Sequence, residues 1–494
     1  MEFGFPWWLR AEHFLNIIFV TFFIRSGIEI LGTYPRLHRK VQNQPGDQWA
    51  QFTIKEKPKH KYYAVSSEYE NYSPIVSLPG YGKLGQGRYW HFIMVMGYVL
   101  CFLIYYVLLA VTGQWRRYVP QSWDVFPQAV DDILHYLAFQ IPEHLPGMPF
   151  NAVQQLSYGV IILILPGFMI FTGLFQSPAV NTHFAGLTKA LGGRQVIRTM
   201  HFWGLIVYVV FIVIHVAMVI AHGYGHEVSK MVFGHTDRPI AAGVIFTGML
   251  ALVVFLHVLA TKTSLHNPHI VQKLNNIIVR PLTRQLIKMP SKQDFSGVET
   301  GRLFRGSGCP PELDEYNAMV ANNYTEDYYL EIGGFVERPM VLSLKDLREI
   351  AGDHYQKTMH NCVQGFSSVG KWGGVPLSKL LELAGPLPGA TDVVFKSFQN
   401  MGRDDEIYDE SFYYESAPMV EATQPQTLIA ISLNDEDIPV ENGAPVRLRL
   451  ETSTGFRSIK WVEAIEVVNR YDIVGKGKGG WFEDNDDYDR MQMI

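Results

Sequence analysis

The chain has 494 residues, of which 48% are hydrophobic, 13% aromatic and 18% charged. That length accommodates two or more domains, and a net charge of −5 gives no sign of nucleic-acid binding. The three cysteines, Cys101, Cys309 and Cys362, form no C-x-x-C or other paired spacing, which argues against a disulfide framework, an iron–sulfur cluster and covalently held haem c.

Five apolar segments lie before about residue 262, each with the roughly 20 residues that a helix needs to cross a bilayer. In chain order they begin at His13, His91, Leu156, Met200 and Ile240. The first is the weakest. It holds Arg25 and Glu29, four residues apart, which either pair on one helix face or mark an interfacial end. Pro166 falls inside the third and is expected to kink it. No cleavable leader is expected, because the first stretch has the length of a span. The spacing predicts an all-α transmembrane bundle of five helices over residues 1–262, including a long polar loop at 32–89.

A basic connector follows at 263–293, and the composition then changes to that of a soluble α+β domain over 294–494. In it "DYYLEIGGFV" and "APVRLRLETS" read as strands, and "SLKDLREIAG" and "PLSKLLELAG" as helices. The polar tail from Gly475 reads as irregular.

Ionisable groups inside spans are costly and mark function. His201 and His215 on the fourth segment are 14 residues apart. At about 100° per residue they return to nearly one face, separated by ~21 Å along the axis. That suits two stacked metal centres, one near each membrane surface. Successive segments run in opposite directions, so His91, opening the second, falls level with His201, and His13, opening the first, falls level with His215. Bis-imidazole ligation of haem b fits such pairs. The competing reading of each histidine alone is an interfacial or hydrogen-bonded side chain. His222, His226 and His257 lack such partners and read as structural, or as contacts for quinone or protons.

Segments one to four resemble the cytochrome b subunits of nickel–iron hydrogenases and formate dehydrogenases, through "RAEHF", "GRYWHF", "FNAVQQLSYGVIILILPGFMIFTGL" and "GGRQVIRTMHFWGLIVYVVFIVIHV". The resemblance covers roughly the first 225 residues. It implies two b haems, held by the four histidines, that exchange electrons with a membrane quinone. The long first loop, the fifth span and the fused second domain depart from that family.

Cys362 sits in "HNCVQG", a polar, glycine-bounded run that makes a poor core strand. A lone cysteine is commonly a small buried hydrophobe. It can also be a nucleophile, or a soft metal ligand when an organic cofactor supplies the other donors. From about Phe295 onward the chain resembles the sulfite-oxidase fold of molybdopterin oxidoreductases, nearest the bacterial branch of methionine-sulfoxide-reductase catalytic subunits. The motifs are "CVQGFSSVGKWGGVPLSKLL", "QPQTLIAISLNDEDIPVENGAPVRLRL" and "TGFRSIKWVEAIEVV". By that resemblance Cys362 is the thiolate ligand to molybdenum, beside two sulfurs of a pterin dithiolene. Asn322, Thr325, Glu326, Ser397, Asn442, Arg447, Ser458, Ile459 and Lys460 are then the pterin-binding positions. Arg447 and Lys460 suit a phosphate, and amides and hydroxyls a pterin edge. The competing reading is ordinary solvated charge near a strand. The reductase branch carries a glutamate two residues after its cysteine, where this chain has Gln364, whose neutral amide does not serve as a proton donor in the same way. A sulfite-like anion would need cationic neighbours, for which Arg403, His360 and Lys371 are candidates.

Five spans put the termini on opposite sides. They place the second domain on one side with the first loop, the loop between segments three and four, and the His91–His201 haem. The implied electron path is molybdenum, the His91–His201 haem, the His13–His215 haem and quinone, or the reverse. Eleven Lys and Arg on that side against five on the other favour the cytoplasm. The expectation of no twin-arginine signal agrees, whereas the orientation of hydrogenase-type cytochromes argues for the outer side.

The sequence is therefore read as a multi-pass protein of a bacterial-type cytoplasmic membrane. Oxygen-atom chemistry on a small substrate would be coupled through molybdopterin and two b haems to the quinone pool. Oxidation of a sulfite-like oxo-anion is the favoured direction. Quinol-driven reduction of a sulfoxide or another oxo-compound is the alternative, and a non-catalytic electron-transfer subunit docking a partner is the third. Lipid and quinone are the expected partners; substrate identity and a homo-oligomeric state stay open.

Overall fold

The computed structural model describes residues 3–41, 46–55, 68–289, 291, 294–301, 308–324, 327–401 and 411–491. Contacts divide the chain into two compact units. One comprises residues 1–27, 90–173 and 200–266, the other residues 28–89, 174–199 and 267–494. The described residues of the loop expected at 32–89 as part of the membrane domain group with the C-terminal part. The reason is apolar: Tyr34 and Leu84, at the two ends of that loop, are buried in one cluster with Cys362, Val363, Phe366 and Tyr488.

The helices that carry the first unit are α1 (Trp7–Thr33), α2 (Leu84–Val111), the short α3 (Val125–Leu137), and α4 (Ala152–Gly159) continued by α5 (Leu165–Leu174). The short α6 (Pro178–His183) and α7 (Ala185–Ala190) lead to α8 (Gly193–Ala221), and α9 (Tyr224–Val232) leads to α10 (Pro239–His266). Five of these segments, 23 to 29 residues long, have the length and composition to cross a membrane. They begin before the apolar stretches do. His13 and His91 therefore lie about two turns inside α1 and α2 rather than at their openings. The polar first turns of α2 and α8 are covered by protein, with Gln86, Arg88, Arg194 and Arg198 all buried, so the helix continues past the lipid-length segment.

The structure shows how the cost of Pro166 is met. Between α4 and α5 runs a single π-helical turn, Val160–Ile164. A proline donates no backbone hydrogen bond to the carbonyl four residues back, which is that of Ile162. The Tyr106 hydroxyl donates there instead, at 2.6 Å, and reaches the Leu163 carbonyl at 2.9 Å. Arg25 and Glu29 do not pair. Arg25 binds His257 Nδ1 at 2.8 Å and Thr261 at 3.0 Å, which makes His257 a structural partner, while Glu29 accepts from the Gly80 backbone at 3.1 Å.

In the second unit β1 (Arg36–His38) and β2 (Gln48–Gln51) form a small hairpin, and the basic connector is helical, as α11 (Pro268–Ile278) and α12 (Arg280–Leu286). After α13 (Asp314–Ala321) come β3 (Tyr329–Gly334), β4 (Met340–Ser343), α14 (Leu344–Ala351), β5 (Tyr355–Asn361), β6 (Ser367–Pro376), α15 (Leu377–Ala384) and β7 (Asp392–Asn400). They are followed by β8 (Phe412–Pro418), α16 (Met419–Ala422), β9 (Leu428–Leu433), β10 (Glu436–Asp437), β11 (Arg447–Arg449), β12 (Val462–Val468) and α17 (Trp481–Asn485). One sheet runs β10-β9-β6-β5 with β11 also on β9, the other β4-β3-β12-β7-β8. Their shared core holds Trp372, Trp461, Leu448 and Ile465. The four segments read as strands and helices are so here. The tail is mostly irregular, and part of it is packed: Tyr488, Asp489 and Arg490 are buried.

Candidate functional site

The first unit contains the four membrane histidines, three of which have a hydroxyl near a ring nitrogen. The rings of His13 on α1 and His215 on α8 have centroids 6.2 Å apart. That is close to the sum of two ~2 Å metal–nitrogen bonds and two ring radii, so one iron fits between them. Tyr158 lies 3.5 Å from His215 Nδ1. His91 and His201 are each held by a hydroxyl. Ser26 Oγ donates to the Phe22 carbonyl at 2.7 Å and meets His91 Nδ1 at 3.0 Å. Thr172 Oγ1 donates to the Phe168 carbonyl at 2.8 Å and meets His201 Nδ1 at 2.9 Å. A hydroxyl whose proton is already given to a carbonyl accepts from Nδ1–H. Each ring is thereby fixed in the tautomer whose Nε2 lone pair suits a metal. All four residues stand within apolar spans and keep part of their surface accessible. The donor set and this spare surface fit haem.

In the second unit, β5 ends at Asn361 and β6 starts at Ser367, and Cys362 to Phe366 form the tight turn between them. Gly365 makes that turn, at φ 122°. The turn is held from α8. Arg194 donates to the carbonyls of Cys362 (3.1 Å), Phe366 (3.2 Å) and Gln176 (2.9 Å). Gln195 donates to the Gly365 carbonyl and to Ser367 Oγ, both at 2.9 Å. Arg198 holds the loop carbonyls of Tyr34 and Arg36 at 2.8 and 2.7 Å. Thr33 donates to the Gln364 carbonyl at 3.2 Å. The polar run around Cys362 is therefore buried because its backbone is satisfied by side chains from the membrane helices' ends. Cys362 Sγ lies 3.7 Å from Gln364 Oε1. Tyr69, from the first loop, hydrogen-bonds the side chains of Gln364 and Tyr488, and burial pushes its phenol up to about 12.

Next to the turn is a surplus of buried positive charge. In β11 alternate residues share a face, so Arg447 and Arg449 both lie over the Trp372 ring, at 5.1 and 4.5 Å, while Leu448 enters the core. Arg449 pairs with Glu451 at 2.7 Å and also contacts His360 Nδ1. Arg447 is held by the backbone carbonyls of Asn442 (2.6 Å) and Ser458 (2.9 Å), and Lys460 by that of Glu441 (2.8 Å). Burial, reinforced by Arg447, pushes Lys460 down to about 7. Burial, with Arg449 and then Arg447, holds His360 well below its ordinary value and so neutral. Burial and Arg449 bring Arg447 to about 9. Buried cations are costly unless an anion faces them. Arg447 Nε and Asn442 Nδ2 are buried without a hydrogen-bond partner. These donors fit an anionic, phosphate-bearing group such as molybdopterin, with Cys362 supplying a soft sulfur donor.

Of the positions expected to hold pterin, the structure gathers Asn442, Arg447, Ser458, Ile459 and Lys460. Ser397 joins them through its hydroxyl, which donates to the Lys460 carbonyl at 2.8 Å. Asn322 is exposed and donates to Asp327 at 2.6 Å; Tyr316, on the same helix, reaches the Ala444 carbonyl at 2.8 Å. Thr325, Glu326 and Arg403 lie outside the described residues. Lys371 is a poor candidate for a substrate anion. It pairs with Asp435 over the Tyr355 ring, in a surface cleft of about 400 Å³ that Arg348 and His354 also line. Sequence reasoning missed Arg194, Gln195, Arg449, Tyr69 and Tyr488. The alternation in "RLRL" carried a signal for Arg449, and the polar opening of the fourth segment carried one for Arg194 and Gln195.

Comparison with known proteins agrees with both resemblances. Residues 4–234 match the family described as prokaryotic cytochrome b561, and residues 317–472 the family described as oxidoreductase molybdopterin binding domain. The chain thus joins a cytochrome b561 domain to a molybdopterin-binding oxidoreductase domain and, with its five apolar helices, is a multi-pass membrane protein. It is 34% identical over 157 residues to YedZ1 of Azospira oryzae, provisionally named a protein-methionine-sulfoxide reductase subunit, covering 32% of this chain and 53% of that one. It is 33% identical to the protein-methionine-sulfoxide reductase catalytic subunit MsrP of Gluconobacter oxydans, covering 28% and 46%. With MsrP of Campylobacter jejuni the identity is 30%, covering 30% and 52%. The chain spans about half the length of these curated relatives.

Proposed function

We propose that this chain takes electrons from quinol and uses them at molybdenum to reduce a sulfoxide. The observation that carries the reading is Cys362, held in a buried turn beside a surplus of buried cations, in a chain that also contains four membrane histidines. The relatives' names favour reduction of a sulfoxide over oxidation of a sulfite-like anion, the direction set first from sequence. The balance is one sulfoxide, two electrons and two protons giving one sulfide and one water.

When bound, the molybdenum cofactor supplies two-electron oxygen-atom transfer and the haems supply one-electron steps. The chain's own residues do the rest. Cys362 offers the thiolate. Arg447 and Lys460 neutralise the phosphate, with Asn442, Ser458 and Ser397 on the pterin side. His13 with His215, and His91 with His201, each offer two Nε2 ligands to one iron. Electrons would pass from the His13–His215 pair to the His91–His201 pair and on to Cys362.

In purified protein whose haem is first reduced with a quinol analogue, methionine sulfoxide should reoxidise the haem. Reduction of oxidised haem by sulfite, with no response to sulfoxide, would reverse the assignment. Protein that purifies with haem but without molybdenum would leave only the electron-transfer reading. The charge bias supports a cytoplasmic second domain. Exposed Cys309 should then resist an impermeant maleimide in intact spheroplasts, and rapid labelling there would reject that side.

A further inference from the structure

The short helix α3 takes no part in either site, and its surface is divided in a way that names a partner. At about 100° per residue its residues fall into three stripes. Val125, Ala129 and Asp132 form the packed stripe, buried against Ala152, Val153 and Leu156 at the head of the third span. Asp132 accepts from the Val153 backbone at 3.0 Å, and Tyr136 receives a 2.7 Å hydrogen bond from Asn151. These contacts pin α3 to the first turn of α4. The two outward stripes differ. Phe126, Val130, Ile133, Leu134 and Leu137 are all exposed, Leu137 at 71%, and Phe139 just beyond the helix is 97% exposed. On the other outward side stand Gln128, Asp131 and His135, the last two paired at 3.6 Å.

A water-soluble surface helix does not leave five large apolar side chains on one outward stripe. Here the helix is fixed at the head of a segment long and apolar enough to cross a membrane, which itself carries the exposed apolar side chains Val160 and Ile164. We infer that α3 is an interfacial helix, lying along the membrane surface with Phe126, Val130, Ile133, Leu134 and Leu137 in the headgroup–acyl boundary and Gln128, Asp131 and His135 in water. Such helices bind through apolar area, with basic residues adding attraction to anionic lipid. The polar stripe of α3 carries no lysine or arginine, so its seating depends on apolar burial.

The test is nitroxide scanning of the full-length, haem-loaded protein in phosphatidylcholine nanodiscs. Single cysteines replace residues 126 to 137 in turn, in a Cys101→Ser, Cys309→Ser background, and the parent chain reports any signal from Cys362. Variants are kept only if the haem spectrum is unchanged, and neighbouring positions on one stripe substitute for any that is lost. Labels at Val130, Leu134 and Leu137 should be accessible to oxygen and shielded from a water-soluble nickel chelate. Labels at Gln128 and Asp131 should show the reverse, with the helical period between them. Replacing half of the lipid by phosphatidylglycerol should not deepen the apolar labels. Nickel access along the apolar stripe would overturn the inference, because the stripe would then face water. Exclusion of both reagents there would also overturn it, in favour of a second copy or another protein covering the stripe.

Discussion

Replacing Arg194 by alanine should release the turn that carries Cys362 while leaving the haem pairs intact. The guanidinium is buried and makes three hydrogen bonds to carbonyls, of Gln176, Cys362 and Phe366. A hydrogen bond from a charged donor contributes about 1.5–3 kcal/mol, and an orphaned buried acceptor costs about 1–3 kcal/mol more. The second term is small at the turn. The Cys362 carbonyl also accepts from the Gly365 backbone at 3.2 Å, and the Phe366 carbonyl from the Cys362 backbone at 2.9 Å. The loss is therefore nearer one charged bond than three, about 3 kcal/mol, which corresponds to roughly a hundredfold fall in the population of the ordered turn. Molybdenum per chain and sulfoxide turnover should drop together, while the b-type absorbance stays. Arg194→Lys keeps the charge but not the fork, and should lie between the two. Should Arg194→Ala also disturb the haems, Gln195→Ala provides a smaller perturbation of the same turn. Full molybdenum content and normal turnover in both variants would refute the idea that α8 holds the Cys362 turn.

Three further outcomes are expected. Cys362→Ser should purify without molybdenum and without turnover but with an unchanged haem spectrum; retained molybdenum would exclude Cys362 as its ligand. Thr172→Val removes the hydroxyl that fixes the His201 tautomer, and loss of such an outer partner weakens metal binding about 10–100-fold. About half of the b-type absorbance should become easily lost on dilution, and an unmoved spectrum would count against His201 as a ligand. Glu483 and Glu415 are buried near Arg457, and burial pushes Glu483 up to about 7 and Glu415 well above the ordinary carboxyl range. Between about 4.5 and 7 the folded chain therefore holds a proton that the unfolded chain has lost. The corresponding stability is complete below the ordinary carboxyl range and is lost as pH rises through the raised value of the folded chain. Glu483→Gln should raise the unfolding temperature at pH 8 and change it little at pH 4.5, and an equal shift at both would sink the linkage.

The membrane helices were legible because their signal is local: length, apolarity and the four-turn spacing of His201 and His215 all lie within single segments. Their starts were not, because Gln86 and Arg194 are polar residues buried by protein, and hydropathy cannot tell burial in protein from exposure to water. The core strands read correctly where alternation was strong, as in "RLRL". What hid was long-range. Nothing near Tyr69 in the chain marks it as a neighbour of Gln364, and nothing around Arg194 names the carbonyl of Cys362, 168 residues away. Lys371 failed for the opposite reason. Its nearness in sequence to Cys362 suggested the site, but four residues along β6 it has found Asp435 instead.

Under the proposed sulfoxide reduction, Gln364 bears on how protons reach the substrate oxygen. Its side chain is buried, with Oε1 3.7 Å from the Cys362 sulfur and Tyr69 hydrogen-bonded to it. A glutamate in that place, surrounded by the same burial, would be biased toward its neutral acid and could donate a proton to a substrate oxygen beside Cys362. The amide keeps the shape and the hydrogen bonds but has no acidic proton to give. Proton delivery in this chain then has to run through another group or through water, at some cost in rate. Gln364→Glu should leave haem and molybdenum content unchanged and raise the sulfoxide-dependent rate of haem reoxidation, by up to the 10²–10⁴-fold that a positioned general acid contributes. A rate that stays level or falls would show that the amide is not what limits proton transfer, and that the residue's role is to hold Tyr69 and the turn in place.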